Sequence, residues 1–124
     1  GWPERLPLKI PRLDPLSMSA LHFEKIDPQR YPCLPLAIKV AKQGGAAPAV
    51  LNGANETVVT AFLGEEIRFV EIAETIAAVI KDFEKALHQV DVPSFLRKIR
   101  TLEDAEHADK WGRKQASKIL ESII

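Results

Sequence analysis

From residue 32 onward, apolar and polar positions alternate with the period of a helix. Leu34, Ala37, Ile38 and Ala41 share one stripe of a segment that has Pro32 and Pro35 in its first turn and stops at Gly44-Gly45. A second helix is expected from near Ala47, with Pro48 in its first turn, to near Gly64. Its apolar face is Val50, Leu51, Ala54, Val58, Ala61 and Phe62. The third segment, roughly residues 70–87, carries Ile72, Ile76, Val79, Ile80, Phe83 and Leu87 at helical steps and is the cleanest amphipathic pattern of the chain. Pro93 and Ser94 open a short helix or turn, SFLRKIR.

The last helix begins at Thr101, with Asp104 three residues on in a variant capping box. Glu103, Asp104 and Glu106 early in it, and Arg113, Lys114 and Lys118 later, suit the helix dipole. Glu106–Lys110 and Asp109–Arg113 stand at the spacing of ion pairs along a helix. The fold class this predicts is mainly α: a small antiparallel four-helix bundle over residues 32–124.

Residues 1–31 follow a different rule. Seven of the nine prolines lie at positions 3, 7, 11, 15, 28, 32 and 35, and in GWPERLPLKIPRLDPLSMS they recur about every four residues, which forbids a continuous helix there. The stretch is too apolar for a free linker, with Trp2, Leu6, Leu8, Ile10, Leu13 and Leu16, so it is expected to be an extended arm lying along another surface. In SALHFEKID, Leu21 and Phe23 alternate with His22 and Glu24, the period of a short β-strand. A lone strand requires a partner sheet, and nothing else in the chain resembles one.

Charge and composition narrow the function classes. A chain of 124 residues with 46% apolar residues is one modest soluble domain. Seventeen basic residues balance seventeen acidic ones, which argues against a nucleic-acid binder. No apolar run approaches the ~20 residues of a membrane span, and no leader pattern stands at the N-terminus. One cysteine, Cys33, excludes an internal disulfide and fits a reducing compartment. With Gly1 at the start and Met18 the sole methionine, the chain reads as part of something longer.

The candidate chemistry is sparse. His22, His88 and His107 fall in three different elements without the spacing that places two ligands on one helix face, so a solvated strand face explains His22 and Glu24 better than a metal does. Cys33 reads as packing rather than a nucleophile. QGGAAPA reads as a helix-to-helix turn before it reads as an anion site. The harder feature is LNGANE. Asn52, Asn55 and Glu56 share a face, although asparagine competes for backbone hydrogen bonds inside a helix and Gly53 costs roughly 1 kcal/mol against alanine. Two readings stand open: a satisfied polar network where this helix meets another part of the protein, or an exposed polar face.

The ordered series GWPERL, PRLD, LHFEKIDPQRYPCLPLAIKVAKQGG and APAVLNGANETVVTAFLGEEIRF resembles the C-terminal part of the 1-deoxy-D-xylulose 5-phosphate reductoisomerase family. The likeness is strong over residues 1–80 and looser through the last helices; the family usually has alanine where Gly53 stands. It implies an enzyme of the non-mevalonate isoprenoid pathway that isomerises 1-deoxy-D-xylulose 5-phosphate. The enzyme then reduces the intermediate with NADPH to 2-C-methyl-D-erythritol 4-phosphate, using magnesium, manganese or cobalt. A Rossmann domain and a central metal-binding domain would precede this linker and bundle. No catalytic, cofactor or metal residue carries over to this chain, which is expected to be inactive and to bind no cofactor by itself. Its partners would be the N-terminal and central domains of the same polypeptide, in a homodimer, with no nucleic acid or membrane. The location would be bacterial cytoplasm or a plastid-type organelle. Asn52, Asn55 and Glu56 would then hold the bundle against the central domain.

Two other classes compete. One is a free-standing helical interaction module whose arm and strand recruit a partner, or a second copy, by sheet-edge addition. The other is a small enzyme pairing Glu56 with a histidine, for which the sequence shows no paired geometry.

Overall fold

The computed structural model describes residues 3–4, 6–7, 9–18 and 20–123. Trp2, Leu8 and Ser19, which the expected arm and strand include, lie outside them. The elements are a single 3-10 turn at Pro15–Ser17, then α1 (Cys33–Gln43), α2 (Ala47–Leu63), α3 (Phe69–Ala86), the one-turn α4 (Ser94–Arg97) and α5 (Leu102–Leu120). The mainly helical class and the helix positions agree with the periodicity.

The short β-strand does not form. Residues 20–27 have no regular structure, and no strand occurs among the described residues. The alternation at Leu21–Glu24 meets a side-chain requirement for a strand, but each strand must also place its backbone groups on a neighbour, and none occurs among the described residues. Leu21, Phe23 and Ile26 are exposed, Phe23 at 89%. Asp14 caps the 3-10 turn by accepting from the Leu16 amide at 2.9 Å.

The helix ends follow local chemistry. Gly44 and Gly45 both have positive φ, 66° and 58°, a conformation that costs glycine nothing and turns α1 sharply into α2. Between α2 and α3 the left-handed residue is Glu65, at φ 60°, rather than Gly64, at φ −80°. α3 opens with Glu71 accepting from the Arg68 amide at 2.7 Å and from its guanidinium at 2.8 Å. α5 opens on the expected capping box: the Asp104 amide donates to Thr101 Oγ1 and the Thr101 amide to Asp104 Oδ2, both at 3.1 Å. Arg97 closes the loop after α3 by donating to the Gln89 carbonyl at 2.9 Å.

α2 is the central helix, in contact with α1, α3 and α5 and most extensively with α5. It runs in the same sense as α5, since Asn52 meets Asp109 and Glu56 meets Arg113; α3 comes between them in sequence, so the topology is up-down-up. Val50, Ala54, Val58 and Ala61 of α2, Ile76, Val79, Ile80 and Phe83 of α3, and Ala108, Ala116 and Leu120 of α5 form the core with Val40 and Leu96. Phe83 stands edge-to-face on Trp111, with ring centroids 6.1 Å apart.

The α2–α5 contact is unusually close at two glycines. A Cβ added at Gly53 would overlap the Asp109 carbonyl oxygen and lie 2.9 Å from its carbon. A Cβ added at Gly112 would overlap the Val50 carbonyl oxygen and lie 3.0 Å from the Val50 Cα. The glycine that local propensity marks as a cost is therefore what lets two backbones touch.

α1 uses an unexpected face. Val40 is buried and Leu36 and Ala37 half-buried, whereas Leu34, Ile38 and Ala41 of the expected stripe point outward. Leu34 is 40% exposed and Ile38 47%. The helix is apolar on more than one face, and among the described residues only one of them is covered.

Candidate functional site

The polar cluster of α2 is a two-helix network. Asn52 Nδ2 donates to Glu56 Oε1 at 3.3 Å and, across the helix crossing, to Asp109 Oδ1 at 3.2 Å. Arg113 Nε donates to Asp109 Oδ2 at 2.6 Å, and Arg113 Nη2 donates to Glu56 Oε2. Asn52 and Glu56 are exposed, while Asp109 and Arg113 are half-buried. Asn55 is exposed on the same helix, outside this set of contacts. The sequence showed Asp109 and Arg113 as an ordinary spacing-four pair. The link from Arg113 to Glu56, 57 residues away, has no periodic signal.

The electrostatics of the network favour its charged forms. The Arg113 hydrogen bond, then its charge, holds the Glu56 carboxyl below its ordinary value. At Asp109 the largest influence is partial burial, which pushes the pKa up; hydrogen bonds from Arg113 and Asn52 and the Arg113 charge together outweigh it, leaving the value lowered. The same two carboxylates raise Arg113, through hydrogen bonds first. Two carboxylates held ionised around one guanidinium have neither a proton to give nor a strong drive to take one, so the arrangement cross-links helices rather than moving protons.

The sign of the pH dependence follows. Carboxylates whose folded pKa is depressed contribute stability that is complete above their unfolded values, about 4. That contribution is lost as pH falls through the lower folded values. Glu56, Glu71, Asp104 and Asp109 are all lowered, the first two mainly by an arginine hydrogen bond and Asp104 first by the Arg100 amide. The urea midpoint is therefore expected to be flat from pH 7 to about 5 and to drop below 4. Arg113→Met should lower it at pH 7 and flatten the acid limb; an acid limb identical to wild type would mean that the network adds no stability.

The remaining candidates do not converge. Among the described residues, no three His, Cys, Asp or Glu side chains are placed to hold a metal ion. His107 packs on Phe95, with ring centroids 5.5 Å apart. Cys33 is exposed at the start of α1. No described helix is long and apolar enough to cross a membrane. The described side chains thus offer no ligand set that fits a magnesium ion.

A helical bundle whose central helix is cross-linked to the last by a polar network is the class of domain that the fold and the site define. Residues 1–115 match the family described as "DXP reductoisomerase C-terminal domain", and the chain belongs to that family. It is 40% identical over 120 residues to the 1-deoxy-D-xylulose 5-phosphate reductoisomerase of Microcystis aeruginosa, covering 97% of this chain and 28% of that protein. To the Anaeromyxobacter dehalogenans protein of the same name it is 42% identical, covering 95% and 27%. The solved structure of 1-deoxy-D-xylulose 5-phosphate reductoisomerase from Zymomonas mobilis in complex with NADPH superposes with a TM-score of 0.74 at 36% identity, covering 98% of this chain and 29% of that one. A DOX-P reductoisomerase structure with fosmidomycin and magnesium gives 0.78 at 31% identity, covering 98% and 30%. The chain thus spans less than a third of the length of these relatives.

Proposed function

We propose that this chain is the C-terminal helical support of a whole protein that converts 1-deoxy-D-xylulose 5-phosphate to 2-C-methyl-D-erythritol 4-phosphate with NADPH and a divalent metal. The observation that carries this reading is the family match over residues 1–115, together with a covered share of under one third in every relative named above. NADPH and magnesium appear with the solved relatives and would bind in the other two thirds of the polypeptide.

In this reading residues 1–31 are the connecting arm and residues 32–124 the bundle, and the preceding domains of the same polypeptide are the partner, in a cytoplasmic homodimer. The polar cluster then divides its work. Asn52 and Glu56 tie α2 to α5, while Asn55, outward on α2, is left to satisfy a neighbouring domain.

The test is NADPH oxidation with 1-deoxy-D-xylulose 5-phosphate and magnesium, run on the whole gene product and on this 124-residue chain. Turnover by the whole protein alone is expected. Turnover by the 124-residue chain, or none by the whole protein, sinks the reading. Asn55→Ala sharpens it: exposed on a helix, it should leave the isolated bundle unchanged or up to ~0.7 kcal/mol more stable. In the whole protein it should lower the melting temperature, and an unchanged value there removes Asn55 from the interface.

A further inference from the structure

We infer that the apolar groove between the entry to α1 and the first half of α3 is the seat on which the preceding part of the whole polypeptide packs. The inference rests on the reductoisomerase reading above and adds a location to it. The groove, about 730 Å³, is lined by Tyr31, Cys33, Leu34, Phe69, Val70 and Ala73 among others. Tyr31 is 54% exposed, Val70 56% and Phe69 73%, an unusual cost for three large apolar side chains side by side.

The groove continues onto α1, where Leu34 and Ile38, one turn apart, form the outward stripe that helical periodicity assigns to burial. Two independent signals therefore meet on this surface: a pattern that expects cover, and a groove without it. The α2–α5 network lies on other helices, so the two polar and apolar surfaces are separate features of the fold.

The occupant follows from how the chain arrives. Residues 29–34 line the groove and are also the path by which the arm enters the bundle, so whatever precedes the arm is tethered beside it. A tethered neighbour acts at millimolar effective concentration, which a free partner must exceed. The arm just before it carries exposed apolar side chains of its own, Leu21, Phe23 and Ile26. More than two thirds of each relative lies outside the matched region, ample to supply the cover. The surface it presents should be aliphatic and aromatic, with a cation for Glu74 and an anion for Arg30 at the rim.

Cys33 reports occupancy directly, being exposed in this chain and part of the lining. Iodoacetamide labelling, read by mass spectrometry on the Cys33 peptide, is to be compared between the 124-residue chain and the whole protein, with turnover measured on the same sample. Labelling at least tenfold slower in the whole protein is expected. Val70→Asp, an exposed position in the first turn of α3 where an acid suits the helix dipole, should return it toward the rate of the free chain. Equal labelling in an active whole protein overturns the inference while leaving the functional reading intact. Protection in the 124-residue chain that grows with concentration overturns it in favour of a second copy. Protection unaffected by Val70→Asp also overturns it, by placing the cover elsewhere. An inactive whole protein with Cys33 protected defeats the functional reading instead.

Discussion

Phe83→Ala is expected to lower the stability of the bundle by about 3–5 kcal/mol. Phe83 is 1% exposed and is the largest of the fully buried side chains. It lies on the continuous α3 face of Ile76, Val79 and Ile80, and its ring makes a T-shaped pair with Trp111 on α5, the ring centroids 6.1 Å apart. Truncation removes the transfer free energy of the ring, opens a cavity between α3 and α5, and discards an aromatic pair worth roughly 1 kcal/mol beyond its area. A domain of this size holds about 5–15 kcal/mol in all, so the variant should melt at least 10 °C lower, at about 4–8 °C per kcal/mol for a domain of up to 100 residues. Phe83→Leu keeps most of the volume and should lose less than half as much. Urea titration of both variants decides the matter; a loss under ~1 kcal/mol for alanine would mean that the α3–α5 seam is not packed as described.

That seam shows what a sequence can disclose. The steps between Ile72 and Leu87 name the buried face of α3 almost residue for residue, because one periodic stripe has one place to go. The start of α5 was equally legible, since Thr101 and Asp104 cap each other within four residues. α1 was not, because Leu34, Leu36, Ala37, Ile38, Val40 and Ala41 surround much of the helix. Periodicity finds an apolar face but does not say whether this chain or another polypeptide covers it. The alternation at Leu21–Glu24 has the same ambiguity and resolves the other way: a strand pattern with no sheet stays irregular. In the polar cluster the sequence exposed the anomaly at Asn52 and Glu56 but not its partners, since Arg113 is placed by the α2–α5 crossing and by nothing local.

The cost at Gly53 makes sense only with Gly112, and the pair yields the second large effect. Gly112→Leu should destabilise the bundle by about 3 kcal/mol or more, at the upper end of what overpacking costs. Any side chain at Gly112 must displace the Val50 carbonyl, and any at Gly53 the Asp109 carbonyl; neither is a flexible group that can rotate aside. By propensity alone, glycine to alanine inside a helix gains roughly 1 kcal/mol, so Gly112→Ala carries a sign test: no gain, or a loss, is expected because the helices must part. Gly64 is the control. Its added Cβ would meet nothing nearer than 3.5 Å and its φ is −80°, so Gly64→Ala should be neutral or up to ~1 kcal/mol stabilising. Parting the helices also stretches the bonds from Asn52 to Asp109 and from Arg113 to Glu56, which span the same crossing. Gly112→Leu should therefore lose part of the acid limb of the stability profile as well as its height, two readouts of one displacement. If it matches wild type in both, the backbones do not touch, and the glycine in LNGANE must have another reason.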